Sequence, residues 1–444
     1  MVNDYIELID NKQYTKLKGI LSMMEPVDIA ALFDDLPERY MPLLYRLLPK
    51  EPAAEVFVEL DPDMQEMLIR GFSDTELKEV LDELYLDDAV DIIEEMPANV
   101  VKRIIKHTDP EMRHSINEIL NYPKDSAGSI MTNEFIDLKE DMTVKDAFTR
   151  IRRTGVDKET IYTCYVIDRN RILMGLVSVK DLLLAEEDCI ISNIMEKNPI
   201  YVNTTTDKED VARALSKYDF LAIPVVDNEH RLVGIVTVDD AIDVLQDEAT
   251  EDIEKMAAIV PSERPYLKTG VFDTWKQRIP WLLILMISAT FTGKIIAHYE
   301  DALGKFVVLT TFIPMLMDTG GNSGGQSSVT IIRGLSLEEI DFGDVFKIIW
   351  KEIRVALLCG ITLAAANFVK LMVVDRVSAT IALVVCSTLV CTVFFAKLIG
   401  CTLPLAAKKI GFDPAVMASP FITTIVDAAS LIIYFNIASA VLHI

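Results

Sequence analysis

Ser419-Pro-Phe-Ile-Thr-Thr-Ile-Val-Asp-Ala-Ala-Ser-Leu-Ile-Ile-Tyr-Phe435 reads as a membrane-crossing helix that carries one carboxylate, Asp427, near its middle. An acid at bilayer depth is costly, and such residues face a bundle interior or an aqueous path. Outward from this helix, apolar runs recur over 280–299, 304–332, 345–373, 377–399 and 414–442, each near or above the ~20 residues needed to cross hydrocarbon. Five spans put the two ends of the chain on opposite sides of the membrane. Lys268, Lys276, Arg278, Arg333, Lys347, Lys351, Arg354, Lys397, Lys408 and Lys409 fall at boundaries facing one side, and Lys305, Lys370 and Arg376 face the other. The positive-inside bias therefore keeps residues 1–270 in the cytoplasm and sends the C-terminus across, as expected of a multi-pass protein of the plasma membrane.

Charge divides the chain at the same place. Residues 1–270 hold 56 acids and 30 bases, a net −26, whereas residues 271–444 hold 12 acids and 13 bases. An acidic excess of this size disfavours nucleic acid and anionic lipid headgroups and suits cations or basic partners; by charge alone the plainer role of a solubilising surface is the preferred reading. The first ten residues are acidic and lack an apolar run, so they are not read as a signal peptide. Cysteines at 164, 189, 359, 386, 391 and 401 form no Cys-x-x-Cys pair and suit a reducing compartment.

Three regions precede the membrane part. Residues 1–125 repeat an Ala-bearing amphipathic run closed by Pro, as in Asp28-Ile-Ala-Ala-Leu-Phe-Asp-Asp-Leu-Pro37 and Asp87-Asp-Ala-Val-Asp-Ile-Ile-Glu-Glu-Met-Pro97. This predicts short helices stacked into an all-α superhelical domain. A second repeat spans 126–190 and 191–245: Ser129-Ile-Met-Thr132 leads to Gly175-Leu-Val-Ser-Val-Lys-Asp181, and Asn193-Ile-Met-Glu196 leads to Gly234-Ile-Val-Thr-Val-Asp-Asp240. Each copy alternates β-branched strands with helices, which predicts a pseudo-symmetric α/β pair. These residues resemble tandem CBS domains, many of which bind adenine nucleotides such as ATP. The resemblance implies ribose and phosphate contacts from Ser178 and Asp181 and from Thr237 and Asp240; the same residues also suit plain helix capping. Residues 246–270 then form a charged connecting helix, read from Asp240 to Ile259, and a linker Pro261-Ser-Glu-Arg-Pro265.

The second span contains Pro314-Met-Leu-Met-Asp-Thr-Gly-Gly-Asn-Ser-Gly-Gly-Gln-Ser-Ser328, too polar and too glycine-rich for a lipid-facing helix. Irregular backbone at this depth needs enclosure by protein or access to water. The pairs Gly320/Gly324 and Gly321/Gly325 allow another helix to approach closely. Packing alone does not explain Asp318, Asn322 and Gln326, which point to an ion path. In a homodimer a two-fold axis brings two copies of Asp427 together, with Thr423, Thr424 and segment 318–326 nearby. Hard oxygen donors select Mg2+ or Ca2+, and Mg2+, which sheds water reluctantly, would be held largely hydrated. The alternative for Asp427 is a buried ion pair with Lys294 in the first span.

Together these residues resemble the MgtE family of magnesium channels and transporters over essentially the whole chain. The most specific motifs are Pro314…Asp318-Thr-Gly-Gly-Asn-Ser-Gly-Gly-Gln326 and Pro420-x-x-Thr-x-x-x-Asp427. The resemblance implies that Asp427 is the central ion-binding residue of a dimeric pore and that the soluble domains sense Mg2+. It implies too that the connecting helix, the plug, closes the pore when internal Mg2+ is high. Candidate regulatory ligands are then Glu55, Asp87, Asp88 and Asp91 on the helical domain and Asp219, Asp240 and Asp243 on the CBS pair. Asp247, Glu248, Glu251 and Asp252 follow along the plug. Gly325 stands where some members carry a polar residue and Ser419 where some carry Asn, which bears on fine selectivity.

No Walker-type phosphate loop is present, so the chain is read as a passive, non-enzymatic conductor. The competing readings are a broader divalent transporter for Co2+, Mn2+ or Ca2+, an exchanger coupled to Na+ or H+, and a membrane-tethered sensor that does not conduct. A mere receptor has no need of Asp318, Asn322 and Asp427 at bilayer depth.

Overall fold

A computed structural model describes residues 2–262, 266–417 and 419–443, so residues 263–265 of the linker lie outside the described residues. The chain divides after Leu245 into two compact units.

The first unit opens with ten helices: α1 (Val2–Asp10), α2 (Tyr14–Leu21), α3 (Pro26–Asp35), α4 (Met41–Tyr45), α5 (Lys50–Val58), α6 (Pro62–Gly71), α7 (Asp74–Leu81), α8 (Leu86–Glu95), α9 (Ala98–His107) and α10 (Pro110–Ile119). Proline punctuates them. Pro26, Pro62 and Pro110 occupy first helical positions, where the missing N–H costs nothing. Leu36 and Met96, each followed by Pro, leave the helical region at ψ 145° and end α3 and α8. Side chains cap the starts: Asp61 accepts from the backbone N–H groups of Asp63 and Met64, and Ser73 forms a reciprocal box with Glu76. The apolar faces meet in one core that includes Phe33, Leu44, Phe57, Leu68, Leu77 and Ile104.

The tandem repeat follows as β1 (Ile136–Lys139), α11 (Val144–Thr154), β2 (Thr163–Ile167), β3 (Leu173–Ser178), α12 (Val179–Leu184), α13 (Ile191–Ile194), β4 (Glu196–Lys197), β5 (Val202–Asn203), α14 (Lys208–Tyr218), β6 (Ala222–Val226) and β7 (Leu232–Thr237). In each copy a parallel pair precedes an antiparallel one, and a bulge falls at matching places, Val166/Ile167 and Val225/Val226. The copies are interlocked rather than consecutive. Met131, from the opening of the first, packs in the core of the second, and Ile191 and Met195, from the opening of the second, pack in the core of the first. A glycine admits each methionine: a Cβ at Gly234 would stand 2.6 Å from Met131 Sδ, and one at Gly175 3.0 Å from Met195 Sδ. The boundary at 190/191 thus divides the sequence but not the packing. α15 (Val238–Met256) starts two residues before the helix read at Asp240 and ends before Ala258, which takes a left-handed φ of 56°.

The second unit holds α16 (Val271–His298), α17 (Glu300–Lys305), α18 (Ile313–Ser336), α19 (Val345–Val373), α20 (Ala379–Lys409) and α21 (Ser419–Leu442). Four segments, Val271–His298, Phe342–Val373, Ala379–Lys409 and Pro414–Leu442, are long and apolar enough to cross a membrane. The expected span at 304–332 differs. Its first part, Val307–Phe312, is a 3-10 turn, and the polar stretch is a continuous 24-residue α-helix, α18, rather than irregular backbone. Glycine by itself disfavours helix, but it keeps its N–H in the ladder and lets a neighbouring backbone approach, and that packing accompanies the regular course of α18. A Cβ at Gly400 of α20 would lie 2.2 Å from the Gly324 carbonyl oxygen, so α18 and α20 touch main chain to main chain.

Candidate ion path and acidic cluster

The rotation of α18 separates its two chemistries. Gly320, Ser323, Gly324 and Ser327 are buried, whereas Asp318, Asn322 and Gln326, spaced by four residues, share an exposed polar stripe in the single chain. Thr423 of α21 packs over Gly321, where a Cβ would meet its Cγ2 at 2.7 Å. Asp427, one helical turn further on, is half-buried, and its Oδ1 is enclosed with no hydrogen-bond partner among the described residues. The charge of Asp318 acts on it. Thr424 instead donates to the carbonyl of Pro420 in its own helix, at 3.1 Å. Lys294 is not the counter-ion. It lines a separate pocket of about 430 Å³ with Phe291, His298 and Tyr299, and no ion pair joins it to Asp427 among the described residues.

A buried lysine does exist elsewhere. Lys397, which the charge pattern assigns to a membrane boundary, is only 5% exposed inside α20. It meets Glu352 of α19 at 4.0 Å and Ser327 of α18 at 3.2 Å. Neither Glu352 nor Ser327 stands out in sequence; a lone acid and a lone base in two different apolar runs were the available signal.

In the first unit the acids of α8 converge on those at the start of α15. Burial, then Asp240 and Glu159, raise the Asp87 carboxyl well above its ordinary range. Burial and Asp240 push Asp88 to about 7, and burial pushes Asp240 itself to about 6. Asp91 moves the same way for the same causes, but it lies open to solvent, which screens the effect. Glu159, driven up to about 8 by burial and then Asp239, keeps an enclosed Oε2 without a partner among the described residues. Glu134 accepts from the Leu86 N–H at 3.4 Å, and Glu59 faces Asp243.

Sequence reasoning thus found Asp87, Asp88, Asp91, Asp240 and Asp243 and missed Glu59, Glu134, Glu159 and Asp239. Glu55 lies exposed one turn before Glu59. Asp219 stands apart as the left-handed cap of α14, at φ 54°. No three His, Cys, Asp or Glu side chains among the described residues converge tightly enough to ligate one ion. The cluster is therefore a zone of mutual repulsion that an ion could relieve, not a closed coordination shell.

Further along α15, Asp247 is exposed and Glu248 half-buried. Glu251 pairs with Lys255 at 2.5 Å, and Lys255 reaches Asp413, in the turn before α21, at 2.7 Å. Asp252 accepts from Ser336, the last residue of α18, at 3.2 Å, and Met256 packs on Ile332 and Ala415. The end of α15 is thereby pinned to the ends of the polar helices.

In the tandem repeat, Ser178 donates to Asp181 at 2.5 Å and accepts from its N–H, a complete capping box for α12. Thr237 donates to Asp240 at 2.6 Å. Capping occupies both pairs, and the acidic cluster draws on Asp240 as well.

A helical acidic domain, an interlocked α/β pair and a helical bundle with an acid-lined polar stripe and apolar helices long enough to cross a membrane define the class of a multi-domain membrane transport protein. Comparison with known families agrees: residues 24–125 match the MgtE intracellular N domain, 127–188 and 191–247 the CBS domain, and 313–437 the MgtE family described as divalent cation transporters. The chain is similar to the magnesium transporter MgtE of Thermus thermophilus, 38% identical over 96% of this chain and 95% of that one. It is also similar to the MgtE of Bacillus subtilis, 32% identical over 99% and 96%. A solved cytosolic domain of the Mg2+ channel MgtE in complex with ATP superposes with a TM-score of 0.53 at 38% identity, covering 55% of this chain and all of that one. The soluble part of a magnesium transporter gives 0.52 at 31%, over 56% and 98%. The chain belongs to the MgtE family.

Proposed function

We propose that the protein conducts Mg2+ passively through a path at the axis of a homodimer and closes when cytoplasmic Mg2+ is high. The observation that carries this reading is the enclosed, unpartnered Oδ1 of Asp427, facing Asp318 beside an exposed stripe of Asn322 and Gln326. Lipid satisfies none of these groups, so water, a cation or a second copy must. Carboxylate and amide oxygens suit a hard dication held through its water shell, with Thr423 at the edge of the path. The Mg2+ transport ascribed to the relatives supports the choice of ion.

Regulation follows from the acidic cluster. At low Mg2+ the charges of Asp87, Asp88, Asp91, Glu159 and Asp240 repel; a bridging divalent ion stabilises the compact form, and differential affinity for two states shifts the population. Glu55 and Asp243 add to this charge within the first unit, Asp247, Glu248, Glu251 and Asp252 are the further candidates along α15, and Asp219 is a separate candidate at the cap of α14. The end of α15, fastened to Asp413 and Ser336, acts as the plug. Adenine nucleotide at Ser178, Asp181, Thr237 and Asp240 would be regulatory and would have to displace the caps. The test is ion flux into proteoliposomes at low and at millimolar sensor-side Mg2+: uptake that falls on raising Mg2+ supports the proposal, uptake indifferent to it removes the gating, and no uptake removes the conductor.

A further inference from the structure

We propose that Ser327, Glu352 and Lys397 are a positioning triad that sets the rotation of α18 and, through it, the cation selectivity of the path. The inference rests on the reading of the Asp318–Asn322–Gln326 stripe as that path. Ser327 Oγ donates to Glu352 Oε2 at 2.7 Å and accepts from Lys397 Nζ at 3.2 Å, so one hydroxyl joins three helices. The ionic side chains are 14% and 6% exposed. Stability alone does not account for them, since well-packed apolar residues replace buried ion pairs at little or no cost.

The neighbouring packing gives them a task. Gly324 and Gly400 place α18 and α20 in main-chain contact, so at this level no side chains interlock to fix how one helix is turned against the other, and the side-chain packing of Thr392 over Gly320 lies a turn away. The triad begins one turn from this seam, and Ser327 directly follows Gln326. A rotation of α18 by ~20° would carry a side chain ~5–6 Å from the axis through ~2 Å. Mg2+ keeps a rigid octahedral water shell that must be met by acceptors at matching positions, whereas the Ca2+ shell is larger and irregular and adapts to displaced ones. A displacement of that size at Asn322 and Gln326 therefore costs Mg2+ more than Ca2+.

The experiment compares Mg2+ and Ca2+ uptake by the full chain in proteoliposomes for wild type, Ser327→Ala, Lys397→Arg, the double apolar variant Glu352→Met/Lys397→Met, and Asp427→Ala. The expected result is a Mg2+ to Ca2+ uptake ratio lowered about tenfold by Ser327→Ala and by the double variant, with elution volume and melting temperature retained and Lys397→Arg close to wild type; tenfold corresponds to ~1.4 kcal/mol of discrimination. Parallel loss of both fluxes, or an unchanged ratio in Ser327→Ala, overturns the proposal, and should the double variant fail to fold, Ser327→Ala decides. A wild type without Mg2+ uptake, or uptake indifferent to Asp427→Ala, instead overturns the path on which the inference rests.

Discussion

Replacing Asp88 by Asn in the soluble fragment 1–262 takes one charge out of the cluster between α8 and the start of α15. The fragment contains the whole compact unit Met1–Leu245. Burial and neighbouring acids hold Asp88 at about 7, Asp240 at about 6 and Glu159 at about 8, against ~4 for an ordinary carboxyl. Each folded value lies above the unfolded one, so the fold prefers the protonated form. The contribution to stability is whole below about pH 4 and is lost as pH rises through about 6 to 8.

For Asp88 the displacement sets a ceiling of ~4 kcal/mol at ~1.4 kcal/mol per pKa unit. Its residual solvent contact and the repulsion it shares with Asp87 and Asp240 reduce this to roughly 2 kcal/mol. In a fragment of this size that shifts the melting temperature by ~4–8 °C. In chelator the wild-type fragment should therefore melt lower at about pH 8 than at about pH 5, Asp88→Asn should recover most of the loss, and millimolar Mg2+ should restore the wild type at pH 8 but add less to the variant. Calorimetry at both pH values decides. Stability that rises with pH in chelator, or equal Mg2+ stabilisation of both proteins, refutes the reasoning.

Other outcomes follow from particular contacts. Gly400→Ala places a methyl 2.2 Å from the Gly324 carbonyl, so α18 and α20 must separate, and the detergent-solubilised protein should lose ~1–3 kcal/mol of stability; an unchanged melt contradicts the seam. Lys255→Ala removes the pairing to Asp413 and Glu251, and should leave the connecting helix open to protease even in millimolar Mg2+; wild-type protection would show that the contact does not hold it. Titration of labelled ATP should weaken on Thr237→Ala and Ser178→Ala if these hydroxyls serve nucleotide, whereas unchanged binding with a lowered melting temperature assigns them to capping alone.

Much of the architecture is written locally. Prolines mark the ends of α3 and α8 because the residue before Pro leaves the helical region, and the two Gly-strand-helix signatures mark the α/β pair because each strand pattern is self-contained. What escaped depends on distant partners. That Met131 and Ile191 exchange cores is a tertiary choice which neither segment encodes alone. Likewise, a hydropathy average cannot tell that Lys397 finds Glu352 on another helix, and Glu59, Glu134 and Glu159 meet the α8 acids from three separate elements. Asp318, Asn322 and Asp427, assigned to the proposed path, drew attention by residue type alone, because polar groups inside apolar runs are rare. The regular course of α18 was less legible, since glycine-rich polar sequence suggests a break until its seam with α20 supplies the packing that keeps it helical.

The most direct test of the central claim is Mg2+ uptake into proteoliposomes by wild type and Asp427→Ala at low sensor-side Mg2+. Rapid uptake by the wild type, abolished in a variant that still folds and elutes with it, is the predicted result. Equal uptake by the two proteins would contradict an ion path through this carboxylate.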